Sequence, residues 1–178
     1  MADGDDVRLR PIVEDDLAFL QGLDGDPDQA GPFMWFGFHD PREWRRRWDT
    51  GCPLIDDNGG RLVVLARGER AGKVSWRCRH WFGTWCWSVG IGLAPHLRGH
   101  GYGTRAHVLV VDYLFAHTQA NRIEAHTETE NAAERQALHK AGFTREGTLQ
   151  GACFRDGHWR DGALYAITRA DHAGGGRN

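Results

Sequence analysis

The order of apolar and polar residues along the chain predicts a mixture of strands and helices. Several stretches alternate with the period of two typical of half-buried strands, or are rich in β-branched residues: 7–11, 61–67, 73–80, 84–93, 122–128, 144–154 and 158–168. Apolar residues recur at helical spacing in residues 14–23, 42–49 and 102–118, and between Asn131 and Gly142. Turn signals at residues 68–72 and 155–157 indicate hairpins, so the pattern favours an α+β domain.

Length and charge restrict the class of protein. The chain has 178 residues, so we expect a single domain with its core in residues 7–169 and frayed ends at residues 1–6 and 173–178. Its 22 basic and 24 acidic residues give a formal charge of -2, which provides no field to attract nucleic acid or an anionic membrane. A site for an anionic ligand must therefore be local.

The cysteines and the first residues indicate the compartment. Cys52, Cys78, Cys86 and Cys153 lie far apart without a C-x-x-C pair, which is typical neither of a zinc ribbon nor of a dense disulfide framework. The chain starts with the acidic run MADGDD, and no apolar run is long enough for a signal peptide or a membrane span. We therefore predict a cytoplasmic protein with reduced thiols.

A glycine-rich turn between a predicted strand and a predicted helix is the most informative segment. Residues 97–104 read LRGHGYGT. Glycines let the backbone approach an anion closely, and the free N–H groups at the start of a helix favour pyrophosphate. Arg98 adds a positive charge that can pair with phosphate. The segment therefore predicts a site for a diphosphate.

Other interpretations of this turn compete. A nucleoside triphosphatase loop needs Gly-Lys-Ser or Gly-Lys-Thr, and the chain has neither. Residues 101–106 fit the dinucleotide pattern G-x-G-x-x-A with Glu124 about 20 residues further on, which leaves a nucleotide-binding oxidoreductase as an alternative. That fold needs several parallel strands, whereas one helix and a hairpin follow Glu124. The turn could also serve backbone geometry alone.

Two motifs in order carry a family resemblance. The pattern R-x-x-G-x-G formed by Arg98, Gly101 and Gly103 resembles the acyl-CoA motif of the GNAT N-acetyltransferases. Asn131, followed by KAGF at residues 140–143, resembles that family's N-(x8)-K-x-G-F helix. Each fragment is short, but together they match in order and spacing.

Two further fragments indicate which branch of the family the chain resembles. EG at residues 146–147 and DG at residues 161–162 are similar to the branch that acetylates ribosomal-protein N-termini and some antibiotics. The order of elements is similar over residues 7–168. The resemblance implies a three-layer αβα fold with a mixed, largely antiparallel central sheet that splays between strands four and five.

The resemblance also implies acetyl-CoA, or another acyl-CoA, as co-substrate. The opened backbone of strand four would bind the pantetheine arm as an added strand, and the turn would bind the pyrophosphate. The residues predicted to contact the cofactor are Ile91, Gly92, Leu93, Arg98, Gly99, His100, Gly101, Tyr102, Gly103, Thr104 and Asn131. The expected acceptor is a primary amine on a protein N-terminus or a small molecule, and exposed strand edges leave room for a homodimer.

The catalytic positions depart from the family pattern. Ser88 stands where the ribosomal-type branch often has a glutamate, and Leu138 where many relatives have a tyrosine acid. Strand alternation puts Glu124, His126 and Glu128 on one face beside the splay. His126 is the leading candidate for the base, Glu128 is second, and Ser88 is a candidate to hold a relay water. A histidine that only packs or hydrogen-bonds is an equally good interpretation of His126.

An aromatic stretch lies between the first two helices, where the family places the wall of its acceptor site. We expect an apolar-sided acceptor pocket there, with core packing as the alternative, formed by Phe33, Trp35, Phe36 and Phe38. The missing glutamate and tyrosine also leave open a catalytically degenerate protein that binds acyl-CoA in a binding or regulatory role. His96 and His100 are four apart but have no nearby third ligand, so we expect no metal site.

Overall fold

The computed structural model describes residues 6–51 and 54–174. Its strands are β1 (Val7–Pro11), β2 (Ile55–Asp56), β3 (Gly59–Ala66), β4 (Glu69–Trp81), β5 (Thr84–Leu93), β6 (Arg122–Glu128), β7 (Thr144–Arg155) and β8 (His158–Thr168). Its helices are α1 (Leu17–Gly25), α2 (Pro27–Ala30), α3 (Glu43–Asp49), α4 (Tyr102–His117), α5 (Ala132–Lys140) and α6 (Arg169–Gly174). Single 3-10 turns, Glu14–Asp16 and Pro95–Leu97, come before α1 and α4.

The described strands form one sheet in the order β1-β3-β4-β5-β6-β8-β7, with β2 paired to β3. All pairings between them are antiparallel except that of β5 with β6. The dinucleotide-binding alternative needs several adjacent parallel strands, so it does not apply to this sheet. The predicted α+β class with a mixed, largely antiparallel sheet is confirmed.

Helices cover both faces of the sheet. On one face, Val110 and Leu114 of α4 and Leu138 of α5 pack in a core with Val74 and Trp87 of the sheet. Burying apolar area is the main source of stability in such a core. The helices α4 and α5 therefore form the first layer of the fold.

The second face carries the helices that come first in the chain. Leu20 of α1 and Trp44 of α3 pack there against Val63 of β3. Leu62 and Val64 of β3 point instead into the α4 core. A strand covered on both faces needs apolar residues without alternation, which explains the LVVLA run at residues 62–66. The predicted three-layer arrangement is confirmed.

The described chain ends in a short helix, α6. Residues 1–5 and 175–178 of the predicted frayed ends lie outside the described residues, but residues 173–174 close α6. The Arg169 guanidinium donates to the carbonyl oxygens of Phe115 and Thr118 at 2.8 and 2.7 Å. Asp171 accepts from the Thr168 N–H at 3.0 Å and so caps the helix start. These contacts attach the start of α6 to α4, and the frayed ends stay a prediction.

Three of the four cysteines lie within the described residues. Cys78, Cys86 and Cys153 are free thiols, and Cys52 lies outside the described residues. Burial raises the pKa of Cys86 to about 11, which makes its thiol unreactive. Among the helices of the described residues, none combines the length and apolar character needed to cross a bilayer. The compartment stays a prediction.

Candidate active site

The sheet opens between β5 and β6, the fourth and fifth of its long strands. Their pairing covers only Trp87 with Ile123, Ser88 with Glu124 and Val89 with Ala125. Beyond these pairs β5 runs on to Leu93 and β6 runs on to Glu128 without ladder partners between them. The predicted splay is therefore present, and it leaves one edge of residues 90–93 free to pair with an extended ligand.

A cavity of about 980 Å³ occupies the opening. It extends from the glycine-rich turn past the free edge of β5 to the face of β6 and the start of α5. Of the residues predicted to bind the cofactor, those that line it are Ile91, Gly92, Leu93, Arg98, Gly99, Gly101, Gly103, Thr104 and Asn131. The volume is at the upper end for pockets that hold small molecules and cofactors.

The glycine-rich turn has the backbone conformation that an anion site needs. Gly99 and Gly101 have φ of 81° and 82°, in the left-handed region, and Gly101 is the N-cap of α4. A Cβ added at either glycine would meet no protein atom within 4 Å. The glycines therefore serve conformation and access to the cavity, and the first N–H groups of α4 have no partner within the helix.

Two residues of the turn lie differently from the rest. The Tyr102 side chain is buried in the α4 core, 1% exposed, and the His100 ring stacks on it with centroids 5.7 Å apart. Neither residue lines the cavity. Contacts of His100 and Tyr102 with a cofactor stay predictions, and the helix start turns the Tyr102 side chain toward the sheet.

Arg98 makes contacts that the sequence did not indicate. Its Nε donates to the Leu93 carbonyl at 2.9 Å, and its Nη2 donates to the Ala30 carbonyl at 3.1 Å and to that of Gln29. Burial lowers the pKa of the Arg98 guanidinium. Its Nη1 lies beside Gly31, where an added Cβ would approach it to 2.6 Å. Arg98 therefore connects the end of β5 to the end of α2 across the mouth of the cavity.

His126 lies on the cavity with a carboxylate behind it. Its side chain is 30% exposed, and its Nε2 is 3.3 Å from Oε2 of Glu124, which is 2% exposed. The other oxygen of Glu124 accepts from Nε of Arg122 at 2.7 Å. A carboxylate only accepts, so this contact places the proton on Nε2 and leaves Nδ1 of His126 as the acceptor.

The network behind His126 extends to the EG fragment of the sequence. Arg122 Nη1 donates to Glu146 at 2.8 Å, and this hydrogen bond lowers the pKa of Glu146. Glu146, Arg122 and Glu124 thus form a chain of charged hydrogen bonds that ends at the imidazole. The sequence reasoning used Glu146 only as a marker of resemblance, because its contact with Arg122 spans 24 positions.

Glu128 forms an ion pair with Arg155 of β7. Arg155 donates to it from Nε at 2.7 Å and from Nη2 at 2.8 Å, and both side chains are buried. The hydrogen bond from Arg155 is the main reason that the pKa of Glu128 lies below its usual value. A carboxylate stabilised in this way is a weak base, so the arrangement favours His126 over Glu128.

Ser88 does not line the cavity. It is 8% exposed and lies within the paired part of the sheet, opposite Arg77 on β4 and Glu124 on β6. The relay water beside Ser88 stays a prediction. Leu138, at the position of the family's tyrosine, is fully buried in the core and cannot act as an acid.

The aromatic stretch is only partly at the cavity. Phe33 and Phe36 line it together with Met34. Trp35 and Phe38 do not line it and contact each other edge to face, with ring centroids 5.2 Å apart. The stretch has no regular secondary structure, so alternation along the chain could not indicate which rings face the cavity.

One set of lining residues on β4 was missed. Lys73, Ser75, Arg77 and Arg79 alternate along the strand and line the cavity on the side away from α4. The alternating pattern of residues 73–80 was the available signal, but only the register with β5 shows that Lys73 lies opposite Gly92. Lys73 pairs with Asp24 of α1, and burial lowers the pKa of this lysine.

The donors needed for a metal ion do not come together in the described part of the chain. No group of three or more His, Cys, Asp or Glu side chains there could hold an ion. His96 lies 3.6 Å from Glu69, and His100 stacks on Tyr102, so the two histidines face different partners.

The geometry agrees with comparisons to known proteins. Residues 6–144 match the family model described as "Acetyltransferase (GNAT) domain". The chain is 29% identical to spermidine N(1)-acetyltransferase of Escherichia coli over 164 residues, which cover 90% of this chain and 85% of the relative.

Solved structures have the same fold. Spermidine N-acetyltransferase from Vibrio cholerae, in complex with CoA and spermine, superposes with a TM-score of 0.81 at 21% identity, covering 94% of this chain and 98% of that one. Ribosomal-protein-S5-alanine acetyltransferase from Vibrio fischeri gives a TM-score of 0.81 at 22% identity, covering 94% and 95%. The family match, which spans most of the chain, and the named relatives together place this protein in the GNAT family of N-acetyltransferases.

Proposed function

We propose that this enzyme transfers an acetyl group from acetyl-CoA to a primary amine. The observation that carries the proposal is the single cavity that joins the glycine-rich turn, the free edge of residues 90–93 and His126. These parts correspond to the needs of the reaction: a diphosphate site, a place for an extended pantetheine arm, and a base near the arm's end.

The cofactor would bind in an extended form along β5. Backbone N–H groups at the start of α4 and in the turn of Gly99 and Gly101 favour the pyrophosphate. The free edge of residues 90–93 can hydrogen-bond the amide groups of the pantetheine arm, as an added strand would. Asn131 lines the cavity and caps α5 by accepting from the Glu134 N–H at 3.2 Å, so its position is fixed by the helix start.

The chemical step requires a neutral amine. Its nitrogen attacks the thioester carbonyl carbon, and the tetrahedral oxyanion that forms is stabilised by a backbone N–H of residues 90–93. The C–S bond then breaks, and CoA leaves as a thiolate that takes a proton from water. The amine nitrogen loses one proton as the amide forms. Orientation of the two reactants in one cavity supplies much of the rate enhancement.

His126 is the residue that would remove the amine proton. Its Nδ1 is the free acceptor, Glu124 holds the ring in one orientation, and the partly exposed ring can release the proton to solvent. Phe33 and Phe36 would cover the apolar part of the acceptor. Named relatives act on spermidine and on a ribosomal protein, which supports an amine acceptor without selecting one.

Release of free thiol from acetyl-CoA with a panel of primary amines tests the proposal. We expect amine-dependent thiol release and a product heavier than the acceptor by one acetyl group. Stabilisation by CoA in a thermal-shift assay without thiol release from any amine would favour the degenerate acyl-CoA-binding alternative. Absence of both signals would contradict the proposed cofactor.

A further inference from the structure

Two arginines on the cavity wall have no acidic partner among the described residues. Arg77 and Arg79 are exposed on β4, separated by one residue, and their side chains line the cavity. Within residues 6–51 and 54–174 neither makes an ion pair, whereas Lys73 on the same strand is paired with Asp24. The pair is therefore available to a ligand.

The carboxylates of the cavity do not offset this charge. Glu128 is held by Arg155 at 2.7 Å, and Glu134 contacts Nε2 of His107 at 2.8 Å. Glu124, the carboxylate nearest to Arg77 in the strand register, is held by Arg122. The lining carries two acidic side chains, Glu128 and Glu134, and more basic ones: Lys73, Arg77, Arg79, Arg98 and Lys140. The cavity therefore presents net positive charge to whatever enters it.

The neighbours of Arg77 leave space for a ligand. Its partners in the register are Gly59 on β3 and Ser88 on β5, which are small and uncharged. No side chain directly opposite can therefore form an ion pair with Arg77. Two guanidinium groups on the same face of one strand, with one residue between them, have the planar donor geometry that binds carboxylate or phosphate.

The position of the pair separates it from the diphosphate site. Arg77 lies opposite Ser88, five residues before Leu93, where the chain enters the glycine-rich turn. Five residues of antiparallel strand span about 17 Å. The arginines thus line a part of the cavity remote from the expected pyrophosphate, and we place the acceptor there.

We infer that the acceptor amine carries an anionic group, a carboxylate or a phosphate, which Arg77 and Arg79 bind while the amine faces the thioester. This inference rests on the proposed function and names its substrate class. The same charges repel a polyamine, whose additional ammonium groups would have no unpaired carboxylate of the cavity to bind. Specificity here therefore differs from that of the spermidine-acetylating relative.

A series of acceptors that share one carbon chain provides the test. The values of kcat/KM are compared for 4-aminobutanoate, n-butylamine and putrescine, and separately for phosphoethanolamine and ethanolamine. We expect the anionic member of a set to exceed the neutral one by about tenfold or more, and putrescine to be the poorest. The two sets distinguish a carboxylate from a phosphate. The inference is overturned if the neutral member equals or exceeds the anionic member in both sets, or if putrescine is the best acceptor.

Substitutions assign the preference to the two arginines. Arg77→Gln and Arg79→Gln should each lower kcat/KM for the preferred anionic acceptor about tenfold. The kcat/KM for n-butylamine, which has no anionic group, should not fall in this way. Arg8→Gln, an exposed arginine on β1 outside the cavity, is the matched control. A rise in the KM for acetyl-CoA with an unchanged acceptor KM would instead assign the pair to the cofactor and contradict the inference.

Binding separates a failure of this inference from a failure of the proposed function. Titration calorimetry with 4-aminobutanoate and phosphoethanolamine on the CoA-saturated protein needs no turnover. Binding that Arg77→Gln removes supports the anion site even if no amine is acetylated. Absence of binding by either compound to the wild-type protein overturns it, even if other amines are acetylated.

Discussion

Glu128 of β6 and Arg155 of β7 form a buried ion pair at the edge of the cavity, joined by hydrogen bonds of 2.7 and 2.8 Å. The pair connects the strand that carries His126 to the terminal hairpin. It also explains why Glu128, although on the same face as His126, is a poor candidate for the base, since Arg155 lowers its pKa.

The Glu128–Arg155 pair should make stability depend on pH. Arg155→Met removes both short hydrogen bonds to the buried Glu128 carboxylate and leaves it only Nε of Arg160 at 3.9 Å and the Cys153 thiol, so we expect the free energy of unfolding at pH 7 to fall by about 3 kcal/mol. Because the pKa of Glu128 is lower in the folded state than its ordinary value of 4.5, the stabilisation is present above that value. It is lost as the pH falls through the folded-state pKa. Urea unfolding at neutral and acidic pH measures this, and an equal difference between variant and wild type at both would contradict it.

The role of His126 can be tested against a second histidine. His126→Gln removes the proposed base, and we expect kcat to fall about 100-fold or more with little change in acetyl-CoA affinity. His100→Gln is the control, because His100 is exposed and does not line the cavity. A His126→Gln enzyme with nearly wild-type kcat would show that this residue only packs.

The glycine turn allows strain to be separated from ligand contact. Gly101 and Gly157 have φ of 82° and 76°, and an added Cβ at either meets no protein atom within 4 Å. Alanine at either position should destabilise the fold by about 1 kcal/mol. Only Gly101→Ala should also raise the KM for acetyl-CoA, because only Gly101 lines the cavity. Equal KM values in the two variants would argue against a cofactor at the turn.

Arg98 and Gly31 should behave as one unit. An alanine Cβ at Gly31 would lie 2.6 Å from Nη1 of Arg98, so Gly31→Ala displaces the guanidinium from the carbonyl of Ala30. We expect Gly31→Ala and Arg98→Ala each to weaken acetyl-CoA binding, and the double variant to be little worse than either. Gly37→Ala, at a left-handed glycine without such a neighbour, controls for backbone strain. Fully additive effects would contradict the coupling.

The aromatic wall should affect the acceptor alone. Phe33 lines the cavity, whereas Phe38 is 88% exposed and does not. Phe33→Ala should raise the acceptor KM by about tenfold through lost apolar contact, without changing the KM for acetyl-CoA. Phe38→Ala should leave both unchanged. If Phe38→Ala has the larger effect on the acceptor, the wall has been assigned to the wrong ring.

Local patterns were sufficient to predict most elements of the fold. The bounds of β5, β6 and β8 agree with the alternation in the sequence, and the glycine turn lies where a strand gives way to a helix. Alternation also placed Glu124, His126 and Glu128 on one face. Such features depend on neighbours within a few residues, so the local sequence is enough to predict them.

The sequence could not predict which distant residues these side chains contact. Arg98 binds the carbonyl of Gln29 across 69 positions, and Arg155 reaches Glu128 across 27. Tyr102 turned out to be core, and the register of β4 with β5 brought Arg77 to the cavity. Spacing along a chain carries no information about which distant strand lies alongside, because that is decided when apolar faces pack together. Hence the motifs indicated the proposed chemistry, whereas packing decided which side chains line the cavity.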